Sequence, residues 1–158
     1  MKSGNRFSSP TFRALCFGLL CIINGQLVDA AGCTVTTTAV NFGIYWGDFD
    51  LSSTGSIGVA CTVAGTVVQQ VQLSAGVGGN ITFGNRNMVS ATNKISYNLY
   101  TDAAHSMIWG DGSNGSFIQS NLVSGPAASA ITVYGLMPAN QVVVPGTYTD
   151  TVVVTVIW

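Results

Sequence analysis

Residues 146–158 have the clearest strand pattern of the sequence, and this pattern limits the folds that the chain can adopt. Pro145 and Gly146 form a turn signal, and β-branched residues dominate after it. One set of alternate positions is wholly apolar, and it consists of Val152, Val154, Val156 and Trp158. Because successive side chains of a strand lie on opposite faces, this pattern predicts a strand with one face in a core.

An apolar strand at the end of a domain needs cover on its free edge, because exposed edges pair with other chains. Two arrangements provide that cover. The strand can be tucked into a closed sandwich, or another polypeptide can pair with it. The strand pattern alone leaves both arrangements open.

The composition is typical of one domain built from short strands and tight turns. Of 158 residues, 47% are hydrophobic, 7% are charged and 19 are glycine, whereas disordered chains combine high charge with low hydrophobicity. Five Lys and Arg residues against six Asp and Glu residues give no excess of cations. Since a nucleic-acid surface needs clustered cations, we expect no nucleic-acid partner.

The N-terminus has the three parts of an export signal. Residues 14–23 are apolar, and small residues at 28–31 offer a cleavage site. The positive segment ahead of them contains Lys2, Arg6 and Arg13. We therefore expect residues 1–31 to be a cleaved signal peptide and residues 32–158 to be an exported domain that does not insert into a membrane after cleavage.

Two alternatives to a cleaved signal stay open. An uncleaved anchor is one, although a membrane-spanning helix needs roughly 20 apolar residues and this run is shorter. A bacterial lipoprotein signal ending at Cys33 is the other, although Ala30 occupies the position at which such signals favour leucine.

Removal of the signal leaves two of the four cysteines, Cys33 and Cys61. Two cysteines in an exported chain are most simply a disulfide, which would join the first predicted strand to the second. Closing a loop of this size contributes about 3 to 4 kcal/mol. Two thiols and the single histidine, His105, fall short of the four ligands of a zinc site, so we expect no metal and no cofactor.

The mature part of the chain has strand-like runs between turn signals and no convincing amphipathic helix. The predicted strands span residues 33–42, 57–63, 66–73, 81–83, 95–100, 116–119, 130–134 and 146–158, with a short apolar run at 107–109. Residues 111–115 are of calcium-loop types but lack the EF-hand spacing and its terminal glutamate, so we interpret them as a turn. Short strands at this spacing predict an antiparallel sandwich or barrel.

The predicted loop at residues 43–55 carries large apolar side chains, including Tyr45, Trp46 and Phe49. Aromatic side chains on a loop can form a contact surface, because they dominate binding energy at interfaces. They can equally fold back and cover the end of the sandwich. Both arrangements stay open for this loop.

We expect the protein not to be an enzyme. His105 lies in a polar turn, and the sequence contains no glutamate for an acid/base pair. The aspartates of the mature chain are scattered singly. Asp150 interrupts the apolar set of the last strand, and a bond to a neighbouring turn is the most we can assign to it.

Several short motifs follow one another through the mature chain. They are Cys33-Thr34-Val35, Asn41-Phe42-Gly43, residues 57–61, Arg86 with Met88, residues 97–102, residues 109–112, Val133-Tyr134-Gly135 with Pro138, and the closing block at 145–156. Their order and spacing resemble the spore coat protein U family of bacterial secreted domains, which includes the subunits of archaic chaperone-usher pili.

The resemblance implies an all-β, immunoglobulin-like antiparallel β-sandwich that lacks one strand. An apolar groove would then lie open beside the final strand, where a periplasmic chaperone and later the next subunit insert a strand by β-augmentation. The face that the chaperone contacts would contain Val152, Val154, Val156 and Trp158. The implied partners are this chaperone, an outer-membrane usher and neighbouring pilus subunits, and the implied location is the periplasm in transit and then the cell surface.

The sequence departs from the fibre-forming pattern ahead of its first mature cysteine. Polymerising members carry an alternating donor segment there, whereas only Ala31 and Gly32 separate the expected cleavage site from Cys33. We therefore expect a subunit that accepts a strand but offers none, at the tip of a fibre involved in adhesion or biofilm formation. The alternative is a secreted monomeric coat or ligand-binding β-sandwich module.

Overall fold

The structure is a computed structural model that describes residues 32–62, 65–78, 82–124 and 126–158. These residues form eight β-strands. The strands are β1 (Cys33–Thr38), β2 (Leu51–Cys61), β3 (Thr66–Leu73), β4 (Arg86–Ser90), β5 (Asn93–Tyr100), β6 (Gln119–Ser124), β7 (Ala127–Met137) and β8 (Val154–Ile157). The described part of the chain has no helix long and apolar enough to span a membrane. The predicted signal, residues 1–31, lies outside the described residues.

The strands form two antiparallel sheets. The larger sheet has the order β1-β2-β7-β5-β4, and the smaller has the order β6-β3-β8. The longest pairing joins β2 to β7, from Leu51 opposite Met137 to Cys61 opposite Ala127. The predicted all-β antiparallel fold class is confirmed.

One apolar core lies between the two sheets. The larger sheet contributes Ile57 and Val59, and the smaller sheet contributes Val71 and Leu73. At its centre Trp109 is fully buried, and its indole N–H donates a hydrogen bond to the Val71 carbonyl oxygen at 2.9 Å. The side chains alternate between buried and open along β2 and β3, as expected for strands with one face in a core.

Arg86, the first residue of β4, is a fully buried cation. Its Nη2 donates to the carbonyl oxygens of Ser74 and Trp109 at 2.8 and 2.7 Å. Its Nη1 donates to Asn98 Oδ1 at 2.7 Å, and its Nε donates to the Ser74 carbonyl oxygen at 3.3 Å. One guanidinium group therefore joins β4 to β5, to the turn after β3 and to the segment that follows β5.

Cys33 and Cys61 lie opposite each other in the β1–β2 pairing and form a disulfide. The bond spans a sequence separation of 28 residues and joins the edge strand β1 to β2 in the larger sheet. It joins the first two strands, as the sequence predicted.

Mass spectrometry of the exported protein, alkylated without reduction, should show no free thiol. Reduction should lower the free energy of unfolding by about 3 to 4 kcal/mol, because the unfolded chain regains the entropy of the open loop. Urea unfolding with and without a reductant measures this difference. Two alkylated cysteines in the unreduced protein would contradict the prediction.

Two predicted boundaries in the first part of the chain are wrong. The first strand ends at Thr38 instead of residue 42, because Val40 and Phe42 leave the sheet and pack against Gly135 of β7. A Cβ atom at Gly135 would lie 2.6 Å from Val40 Cγ1, so this close approach requires glycine. The second strand begins at Leu51, inside the predicted loop at 43–55, because its polar first half is paired with β7.

The strand β4 was not predicted. Its first two residues, Arg86 and Asn87, are polar, yet both are buried and hydrogen-bonded, so the usual alternation is absent. Nearby, Thr82 of the predicted strand at 81–83 forms only an isolated bridge with Asn85, and residue 81 lies outside the described residues. The predicted bounds 116–119 are wrong, because only Gln119 belongs to β6, which continues to Ser124. The predicted strand at 130–134 lies within β7, which spans Ala127–Met137.

Candidate functional site

The last segment of the chain borders the place where the two sheets stay apart. Thr149 exchanges two backbone hydrogen bonds with Val89 of β4, at 2.8 and 3.1 Å. Further along, Val154 lies opposite Leu73 of β3. The segment thus leaves the larger sheet and joins the smaller one, and only its last part, β8, forms a regular strand instead of the whole predicted range of 146–158.

Side chains along this segment alternate between the core and the solvent. The half-buried positions are Tyr148, Asp150, Val152, Val154 and Val156, and the positions between them are exposed. The three valines pack against the core, as their apolar pattern predicted. Trp158, which the pattern placed on the same face, is 39% exposed and lies outside the core.

The backbone groups of the same valines face an unoccupied edge. The Val153 carbonyl oxygen accepts a hydrogen bond from the Ser74 N–H at 2.9 Å, so Val153 faces β3. Successive residues of an antiparallel strand direct their N–H and C=O groups to opposite sides. Val154 and Val156 therefore direct theirs away from β3, and β8 has no neighbouring strand on that side within the described chain.

A cleft of about 1170 Å³ lies beside the segment that leads into β8 and reaches β8 at Val154. Its sides are residues 37–46 and residues 143–152, and its floor contains core residues of both sheets, including Ile57 and Leu73. Core side chains are therefore reachable from outside along one side of the sandwich.

β1 is incompletely covered on its inward face in the larger sheet. Val35 lies opposite Val59, so the two side chains share the inward face, yet Val59 is buried and Val35 is 44% exposed. β1 is also an edge strand, paired only with β2. The inward face of β1 therefore has no covering layer in the described part of the chain.

One carboxylate lies within the apolar row that lines the cleft. Asp150 Oδ1 accepts hydrogen bonds from the N–H groups of Val77 and Thr151, both at 2.8 Å. Asp150 Oδ2 accepts a hydrogen bond from the Tyr97 hydroxyl at 2.7 Å. Burial first, and then this hydrogen bond, raise the pKa of Tyr97, so its hydroxyl remains a donor. The bond to a neighbouring turn was expected from the sequence, whereas the bond to Tyr97 was not.

The loop between β1 and β2 separates the three aromatic residues singled out in the sequence. Tyr45 folds back, because its hydroxyl donates to the Pro138 carbonyl oxygen at 3.0 Å and accepts from the Gln141 N–H at 2.8 Å. Trp46 and Phe49 face outward and are 73% and 58% exposed. The structure thus leaves two of the three side chains available for contact.

The remaining titratable groups form no reactive cluster in the described residues. No group of three or more His, Cys, Asp or Glu side chains there could hold a metal ion. His105 stacks edge-on against Tyr100 at 5.1 Å between ring centroids. Asp111 accepts hydrogen bonds from the Ser113 hydroxyl and N–H, which lower the pKa of Asp111 and close the turn that the sequence predicted.

Comparison with known proteins assigns the family. A family model described as the Spore Coat Protein U domain matches residues 21–155. The chain belongs to the Spore Coat Protein U domain family. The match begins inside the predicted signal, and it confirms the resemblance inferred from the order of the motifs.

Two similar proteins accompany this family assignment. This member of the Spore Coat Protein U domain family is 34% identical over 113 residues to Protein U of Myxococcus xanthus. The match covers 68% of this chain and 60% of Protein U. The chain also resembles the crystal structure of the CsuC–CsuE chaperone–tip adhesion subunit pre-assembly complex from archaic chaperone-usher Csu pili of Acinetobacter baumannii. That match has a TM-score of 0.57 and 24% identity, and it covers 81% of this chain and 40% of that one. It supports the fold.

Proposed function

We propose that this protein is an exported subunit of a chaperone-usher surface pilus and that its cleft accepts a β-strand from another polypeptide. The observation that carries the proposal is the edge of β8 that has no neighbouring strand within the described residues, together with the inward valines beside the exposed core. An added strand would pair its main chain with that edge and cover the cleft floor with its alternate side chains. Main-chain pairing would supply affinity, and the side chains would supply specificity.

Each partner would act at a different step of assembly. A periplasmic chaperone would fill the cleft during transit, an outer-membrane usher would pass the subunit to the surface, and a neighbouring subunit would then replace the chaperone strand. The Csu complex, described as a chaperone bound to a tip adhesion subunit, supports the chaperone as partner and a position at the fibre tip.

The chaperone step is tested by co-expression. If the reading frames beside this gene encode a periplasmic chaperone, co-expression with the full chain should yield a soluble complex of one copy of each, whereas the chain alone should aggregate. Immunogold labelling of the native cells should mark surface fibres at their ends. A stable monomer without chaperone would contradict the proposal, and labelling along the shaft would contradict the tip position.

A secreted coat or ligand-binding module is the second candidate. The description of the family as the Spore Coat Protein U domain supports a coat role. This function needs a protein that stays soluble without an added strand. The co-expression experiment therefore separates the two candidates.

Changing Trp46 and Phe49 to serine should reduce adhesion of the bearing cells to plastic and to host surfaces by about tenfold. Two exposed aromatic side chains of the loop between β1 and β2 would lose their contact area, and aromatic residues are frequent hot spots at interfaces. Counting adherent cells measures the effect.

The matched control is Leu122→Ser, which removes another highly exposed apolar side chain from the outer face of β6. It should leave adhesion unchanged. Equal adhesion of both variants, with normal export and disulfide formation, would reject the loop as a contact surface.

A further inference from the structure

We propose that Asp150 determines the register and composition of the strand that enters the cleft. It would select a hydroxyl or amide side chain at one inward position of a strand whose other inward side chains are aliphatic. This inference rests on the proposed function, because it concerns the strand that the same cleft accepts.

The inward row near β8 consists of apolar side chains, and one charged side chain precedes them. Asp150, Val152 and Val154 line the cleft, and Val156 continues the same half-buried row within β8. Residues directly opposite each other on neighbouring antiparallel strands have Cβ atoms about 4.5 to 5.5 Å apart on the same face. A strand that pairs along this edge therefore places one side chain against each valine and one against the carboxylate.

The carboxylate of Asp150 retains capacity for a further hydrogen bond. Oδ1 already accepts from the N–H groups of Val77 and Thr151, whereas Oδ2 accepts only from the Tyr97 hydroxyl among the described residues. Each carboxylate oxygen has about two acceptor sites. An aliphatic side chain would remove water from Oδ2 without replacing its hydrogen bond, and a hydroxyl or amide would replace it.

A neutral donor fits this position better than a cation. Asp150 is one of the groups whose charge raises the pKa of the buried Arg86, so the two charges interact inside the domain. Because Arg86 already opposes the negative charge, a second cation would lose its hydration for a smaller electrostatic gain. We therefore expect serine, threonine, asparagine or glutamine opposite Asp150.

A single polar position also defines the register. A slip of the inserted strand by two residues keeps the same side chains inward but moves the polar one against Val152 and an aliphatic one against Asp150. Both positions then carry a mismatch. A lone buried asparagine defines the alignment of coiled-coil helices in the same way.

The test appends a flexible linker and an alternating strand after Trp158 of the full chain, exported to the periplasm. One version has valine at every inward position of the appended strand. In the others, a single threonine replaces each inward valine in turn, because threonine has nearly the shape of valine and differs by its hydroxyl. Circular dichroism measures Tm. Relative to the all-valine version, we expect threonine to raise Tm by about 4 °C at one inward position and to lower Tm at each of the remaining inward positions.

Two variants of the domain test whether the position that favours threonine lies opposite Asp150. In Asp150→Val the advantage of threonine should disappear. Asp150→Asn keeps the shape of the side chain and serves if the first variant does not fold, and it should reduce the advantage to about half, because charge-assisted hydrogen bonds are roughly twice as strong as neutral ones.

The outcomes separate this inference from the proposed function. If no appended strand raises Tm above that of the chain without one, strand acceptance itself is wrong. If the strands stabilise the domain but the all-valine version is best, the selection by Asp150 is wrong while strand acceptance stands. An unchanged threonine advantage in both Asp150 variants would also overturn the inference.

Discussion

Arg86→Met should lower the free energy of unfolding by about 4 kcal/mol. The change leaves the carbonyl oxygens of Ser74 and Trp109 and the side-chain oxygen of Asn98 without their donor in the interior. Each buried acceptor without a partner costs about 1 to 3 kcal/mol. Burial lowers the pKa of Arg86, and the charge of Asp150 opposes this shift.

The control for this experiment is Lys94→Met. Lys94 is the other Lys or Arg residue of residues 32–158 and is exposed on β5, so its replacement removes the same charge from the surface. It should change the free energy of unfolding by less than about 0.5 kcal/mol. Urea unfolding of both variants under one set of conditions measures the difference. Equal stability of the two would show that the buried guanidinium is dispensable.

Val154→Arg should weaken capture by a strand-donating chaperone by at least about 100-fold. Val154 lies in the inward row beside the cleft, so an added strand would have to bury the new guanidinium against the core. Burying an unpaired charge costs several kcal/mol, and every 1.4 kcal/mol changes an affinity by about tenfold. Titration of the purified chaperone with each variant measures the loss.

Val153→Arg is the matched control, because Val153 is the preceding residue and is 57% exposed on the opposite face. It should bind the chaperone as the unchanged protein does. Circular dichroism and a formed disulfide establish that both variants fold. Equal capture of the two variants would place the partner's strand elsewhere.

Strands with regular alternation were the predictable part of the fold. The prediction of 66–73 matches β3, and that of 95–100 covers most of β5. Alternation fails where polar residues are buried, which explains why β4 was missed. The alternation of apolar and polar residues is also absent in the first half of β2. Serine, threonine and glycine there resemble a turn, yet all of β2 is paired with β7.

Only the part of the candidate site that the last segment contributes was predictable from the sequence. The inward valines of the last segment follow from its period of two, because burial of alternate positions is a local property of a strand. The bond between Tyr97 and Asp150 joins residues 53 positions apart, and Val40 and Phe42 contact Gly135 across the sheet. Contacts of this kind depend on how the sheets are arranged, and no local pattern contains that information.

The passage of the last segment from one sheet to the other has a mechanical consequence. Thr149 is bonded to Val89 of β4, and Val153 is bonded to Ser74 beside β3. A pulling force on this segment would therefore load hydrogen bonds in both sheets at once, so the two layers would resist extension together and could not be peeled away one after the other. Single-molecule force measurements should then show one rupture event for the domain.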